Sequence, residues 1–172
     1  MERSGKDSLK LEDLASDLVK MVLLSIKPSK LEDLKTWSVN PESSKHRLEI
    51  VILLLFSLKS AISIAQQSST LDQDKGSELL LYVEQFLKTS FVDVLTLGDA
   101  DQFEHLLEKR YEEYESRDTP GSPIPRIGLR FCHNIEIDDM ALVHWAETTF
   151  RTVRLTYVDY LKMINDNYDL VI

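Results

Sequence analysis

Polar and apolar positions alternate in blocks along this chain, and one block stands apart. Residues 41–67, PESSKHRLEIVILLLFSLKSAISIAQQ, run apolar with few interruptions and no internal glycine or proline. The pattern predicts one long helix. Asn40 is a suitable N-cap, Pro41 occupies the first helical position, and Glu42 places negative charge near the positive end of the macrodipole. At roughly 1.5 Å per residue the rod is about 40 Å long. The β-branched run Ile50, Val51, Ile52 favours a strand, but a strand of that length would be unusual, so length decides for helix. A membrane span competes with this reading. Lys59 lies inside the apolar run with Ser57, Ser60 and Ser63, and a lysine at mid-span costs about 2.5–3.5 kcal/mol on insertion scales. A buried core helix is therefore the better expectation.

Projected at helical spacing, Lys45, Glu49, Leu53, Phe56, Ser60, Ser63 and Gln67 share one strip. The strip is polar at both ends and apolar in the middle. Either another helix crosses at Leu53 and Phe56, or these residues form a contact with a second copy or an apolar ligand groove.

The other blocks are arranged around this one. Residues 1–7 are expected to be disordered. Leu11, Leu14, Ala15, Leu18, Met21, Val22 and Ile26 recur at three- and four-residue spacing, predicting an amphipathic helix over 8–27 that Pro28 ends. Ser29 and Glu32 match a capping box opening a short helix through Trp37. The pentapeptide KLEDL occurs at 10–14 and 30–34, too short a similarity to mark a repeat. Residues 68–76 read as a loop. A helix over 77–97 carries Leu79, Leu80, Val83, Phe86, Leu87, Phe91, Val94 and Leu95 on a broad apolar face, with Gly98 as its C-terminal stop. Asp101 and Glu104 resemble a second capping box, starting a helix to about Ser116. Residues 117–128, RDTPGSPIPRIG, hold three of the five prolines and two of the five glycines and read as an irregular loop. Residues 129–137 are ambiguous between a helical turn and an extended piece. Asp138 or Asp139 caps a last helix to about Asn165, with Leu142, Ala146, Phe150, Val153, Tyr157, Tyr160, Leu161 and Ile164 inward. NYDLVI remains as a tail that packs on the bundle. The expected architecture is all-α: a single-domain, up-and-down bundle of five or six helices around the 41–67 helix.

Composition narrows the function classes. A formal net charge of −9 over 172 residues disfavours nucleic acid, which demands cationic surface, and an anionic membrane surface. Cys132 is the single cysteine, so no internal disulfide forms. Lys20 breaks the apolar run near the N-terminus, which does not read as a signal peptide, and the cytoplasm is the expected compartment.

One residue breaks the amphipathic pattern. On helix 101–116, Phe103, Leu107, Arg110 and Tyr114 form a line flanked by Leu106 and Tyr111. Arg110 is thus centred on an apolar face, where burial is costly unless carboxylates, carbonyls or an anionic ligand meet its five donors. Six of the eight arginines, Arg110, Arg117, Arg126, Arg130, Arg151 and Arg154, lie between 110 and 154. Arginine suits bidentate contact with anions. These six form either a set of internal and surface pairs, such as Glu147 with Arg151, or an anion pocket in an acidic protein.

Other chemistry finds little support. No histidine is preceded at three residues by glutamate, and no Cys-x-x-Cys or His-Glu-x-x-His is present, so no metal is expected. Cys132 beside His133 is a poor nucleophile–base pair, because adjacent residues rarely place sulfur and imidazole in contact. No glycine-rich phosphate loop exists. No cofactor is expected. The leading expectation is a non-enzymatic protein-interaction or regulatory module, with a protein partner or self-association as a homodimer through Glu49, Leu53 and Phe56. The alternative is a binder of a small anionic ligand, or an enzyme, with its pocket formed by Arg110, Tyr111, Tyr114, Arg126 and Arg130.

Overall fold

The computed structural model describes residues 6–27, 31–40, 43–94, 100–122, 124 and 126–172. Its elements, in order, are strand β1 (Asp7–Lys10), helix α1 (Leu11–Ser25), a 3-10 helix (Glu32–Trp37), α2 (Ser44–Gln67), α3 (Gln73–Val94), α4 (Ala100–Glu115), α5 (Arg126–Ile135), α6 (Met140–Asn167) and strand β2 (Tyr168–Val171). The molecule is 78% helical and forms an all-α bundle around a long apolar helix. That helix is α2, which packs against each of the other five α-helices and most extensively against α6.

The burial of α2 follows from its sequence. Every residue from Leu48 to Leu58 is buried, because an apolar run without a polar face finds shelter only inside a ring of neighbours. The helix is long and apolar enough to cross a membrane, yet 78% of its most apolar window is covered by the protein itself, which is compatible with a soluble protein. Lys59 points outward, pairs with Glu115 at 2.8 Å and lies over the Tyr111 ring. The start of α2 departs from expectation. Ser43, not Asn40, is its N-cap, with its hydroxyl accepting the His46 amide; Pro41 and Glu42 lie outside the described residues. Asn40 instead donates its amide to Nδ1 of His46 at 2.9 Å.

Several other boundaries differ. β1 pairs in parallel with β2, in the register Asp7 to Tyr168 through Lys10 to Val171. Asp7, within the segment expected to be disordered, is thus in a strand, residues 1–5 lie outside the described residues, and the C-terminal tail is a strand with Leu170 buried against the bundle. A two-stranded ribbon is marginal alone; here Leu9 and Leu170 join it to the core. α3 begins at Gln73, four residues earlier than its pattern suggested, because Gly76 is buried beneath the Gln66 side chain and its amide donates to the Asp72 carbonyl. α6 is capped by Asp139, whose carboxylate accepts the amides of Ala141 and Leu142. The expected stop at Pro28, the Ser29 cap, Leu95 and Gly98 lie outside the described residues, as do the side chains of Phe91, Val94 and Asp101.

The segment 117–128 needs the largest correction. Arg126, Ile127 and Gly128 open helix α5 and do not belong to the loop, and the ambiguous stretch from Leu129 continues that helix to Ile135. Gly128 is where α5 meets α6. A methyl group there would collide with the backbone carbonyl of Val143. Its amide donates to Glu147 Oε2 at 3.0 Å, so a carboxylate from α6 meets the positive end of α5.

Candidate anion-binding site

Helix α4 lays Arg110 against α2, and the buried end of that contact is Glu49. Nε of Arg110 donates to Glu49 Oε1 at 2.8 Å, and Nη1 donates to Glu113 Oε2 at 2.9 Å. Glu113 also accepts from Arg130 on α5, through Nε at 3.0 Å and through a second, shorter contact from Nη2. Asn134, one helical turn beyond Arg130, donates to the other oxygen of Glu49 at 3.3 Å. The result is a ladder, Asn134–Glu49–Arg110–Glu113–Arg130, joining α2, α4 and α5. Side-chain exposure rises along it, from 3% at Glu49 to 16% at Arg110 and 24% at Arg130.

The carboxylates of this ladder are perturbed in opposite directions. Burial pushes the Glu49 carboxyl above the ordinary glutamate value, against the lowering by Arg110 and Asn134. Burial also acts upward on Glu113, but Arg130 and Arg110 outweigh it and hold the group low. Two guanidiniums thus face two carboxylates, and the ladder is neutral.

Glu49, Leu53 and Phe56 do not form an interface. All three are buried within this chain, at 2%, 0% and 3% exposure. A helix does cross there. Tyr111 and Tyr114 of α4 and Phe150 of α6 surround the Phe56 ring, with centroid separations of 6.0, 5.3 and 5.4 Å. The polar strip is apolar in its middle because α4 covers it. Of the residues expected to grip an anion, Arg110 is answered by internal carboxylates, and Tyr111 and Tyr114 belong to the core. These three do not share a pocket with Arg126 and Arg130.

Arg126 and Arg130 do share one, with residues the pattern named less sharply. Arg117, from the segment after α4, joins Arg126, Leu129, Arg130 and His133 of α5 around a surface cleft of about 280 Å³. The four α5 residues fall on one face by their spacing of three and four. Their chemistry splits. Arg130 is held by Glu113, whereas neither Arg117 nor Arg126 makes an ion pair among the described residues; Arg126 reaches only the Thr119 hydroxyl, at 3.3 Å. The remaining arginines of the cluster are paired elsewhere, Arg151 with Glu147 and Arg154 with Asp118. The cleft therefore carries two guanidinium charges beyond those its carboxylates balance, in a protein of net charge −9.

Sequence reasoning missed Glu113, Asn134 and the buried position of Glu147. Glu113 had a signal, its spacing of three from Arg110. Asn134 had none, and neither did the burial of Glu147, since Glu49 and the Gly128 amide lie on other helices. Cys132 is buried, and burial, aided by Asp139 and Asp138, pushes its thiol up to about 12, which is the reverse of what a nucleophile needs. Among the described residues no group of three or more His, Cys, Asp or Glu side chains is placed to hold a metal ion. No protein-family model, curated protein or solved structure matches the chain.

Proposed function

We propose that this chain is a cytoplasmic binding module of regulatory type whose site is the cleft of Arg117, Arg126, Arg130 and His133, and whose ligand presents a phosphate-type anion. The observation that carries this reading is the pair of guanidiniums, Arg117 and Arg126, left without carboxylates beside a third arginine in one cleft. Surface arginines in an acidic protein usually find acidic partners, as Arg151 and Arg154 do here. A surplus of two positive charges suits an anion carrying about −1.5 to −2, which is the charge of a phosphomonoester near neutral pH. His133 adds an imidazole N–H donor. Screening over about 8 Å at physiological ionic strength lets this local surplus act despite the acidic remainder of the surface.

Titration of the protein with inorganic pyrophosphate, followed by the arginine side-chain resonances in NMR spectra, tests the reading. Saturable shifts at Arg117, Arg126 and Arg130 that weaken with added salt are expected, and Arg117→Ala with Arg126→Ala removes them. Binding that is unchanged in the double variant, or absent from the wild type, refutes it. The self-association reading through Leu53 and Phe56 loses its basis, since both side chains are inside the core.

A further inference from the structure

The arginine cleft does not end at His133. A second cleft, of about 320 Å³, lies against the other side of Leu129 and His133. It is lined by Cys132, Ile137 and Val143 at its floor and by Glu136 and Asp138 at its rim. Leu129, which both clefts share, is 45% exposed and so is open to a ligand at either one. The surface along α5 and its flanking segments thus changes character: cationic at Arg117 and Arg126, apolar at Leu129, Cys132 and Ile137, acidic at Asp138.

We infer that the two clefts form one bipartite seat for a phosphorylated protein segment, with the phosphomonoester at Arg117, Arg126 and Arg130 and an apolar side chain of the same segment beyond Leu129. This rests on the anion-binding reading and gives its ligand a class. Charge decides among the occupants. The two unbalanced guanidiniums match one dianion, whereas a glutamate or aspartate side chain leaves one unanswered. An anionic bilayer or nucleic acid would bring an extended field of negative charge against a protein of net charge −9, which opposes approach. A single phosphorylated side chain brings its charge to the cationic end alone. Asp138 at the far end then favours a basic residue on the same segment and orients it, Glu136 being already paired with Lys45 at 2.8 Å.

The spacing follows from the geometry of α5. On α5 the midpoint of Arg126 and Arg130 lies near residue 128, and the apolar cleft runs from Cys132 to Ile137 just past the helix end, so the two are about 6–13 Å apart at the helical rise. An extended segment advances about 3.3 Å per residue, so the apolar residue falls roughly two to four positions from the phosphorylated one. The anion contacts come from guanidiniums and not from the first amides of α5. The Gly128 amide is already taken by Glu147, and that of Arg126 by the Ile124 carbonyl.

Fluorescence anisotropy with short labelled peptides tests the inference. Each peptide carries one phosphoserine in a glycine–serine background, with a leucine placed at successive positions on either side. At one or two placements within this window, leucine is expected to tighten binding by about tenfold over the leucine-free phosphopeptide. Leu129→Ser should abolish that gain, so that leucine-bearing and leucine-free phosphopeptides bind the variant equally. Unphosphorylated peptides should not bind, and Arg117→Ala with Arg126→Ala should release all of the phosphopeptides. If pyrophosphate binds in an arginine-dependent manner and leucine has no effect at any position, the bipartite seat is refuted while the anion site stands. If neither pyrophosphate nor any phosphopeptide binds, both fall. Arg117-dependent co-sedimentation with phosphatidylcholine vesicles containing phosphatidic acid, without phosphopeptide binding, would also overturn the inference, in favour of a lipid.

Discussion

Removing Arg110 tests the internal logic of the molecule most directly. In Arg110→Leu the buried Glu49 carboxylate keeps only the Asn134 amide, at 3.3 Å. Breaking a buried pair from one side costs about 3–5 kcal/mol, because the surviving charge is left uncompensated. For a domain of this size each kcal/mol lowers the melting temperature by about 2–4 °C, so a drop of roughly 6–20 °C is expected. The double variant Glu49→Leu, Arg110→Leu removes both charges. It should recover about half of the loss, since exchange of a buried pair for apolar residues is often neutral, less about 1–3 kcal/mol for the orphaned Asn134 amide. Acid should also help the single variant. Without Arg110 the already raised Glu49 value rises further, so the destabilisation is present above that value and disappears as protonation removes the charge. Calorimetry of the wild type, both single variants and the double variant, at neutral and mildly acidic pH, supplies the cycle. A melting temperature of Arg110→Leu within experimental error of the wild type, or a double-variant loss equal to the sum of the two singles, would refute this account of the ladder.

Three further outcomes follow from the same contacts. Gly128→Ala forces a methyl group into the Val143 carbonyl and separates α5 from α6, so denaturant unfolding should show a loss of about 3 kcal/mol or more. Cys132 should resist a chromogenic thiol reagent in the native protein and react fully once urea exposes it; rapid native reaction would contradict its burial and raised thiol value. Glu113 is held below its ordinary value of 4.5, so its contribution is complete above 4.5 and is lost as pH falls through the lower, folded value. Glu113→Gln should therefore be less stable than the wild type at neutral pH, with the difference closing in acid, as read from urea midpoints across pH.

The chain's own pattern fixes the class of architecture and the existence of α2. A run that is apolar on all sides has one stable location in water, inside a ring of other helices, and the amphipathic stripes of α1, α3 and α6 supply that ring. It also exposes Arg110 as an anomaly, because a charge in an apolar stripe is visible from spacing alone. What answers Arg110 is not visible. Glu49 lies 61 residues away in sequence, and only the crossing of α4 over α2 brings them within 2.8 Å. The same crossing turns Leu53 and Phe56 from an apparent surface patch into core. Helix α5 is decided at the same level. Ten residues are too few to hold a helix by propensity; RIGLRFCHNI is helical because Ile127, Phe131 and Ile135 are buried and Glu147 of α6 takes the Gly128 amide. The repeated KLEDL makes the contrast plain. One copy runs into α1 and the other into a 3-10 helix, although each buries its two leucines. Local spacing determines which face seeks the interior, and the packing of sequence-distant helices determines the backbone form and the partners that face acquires.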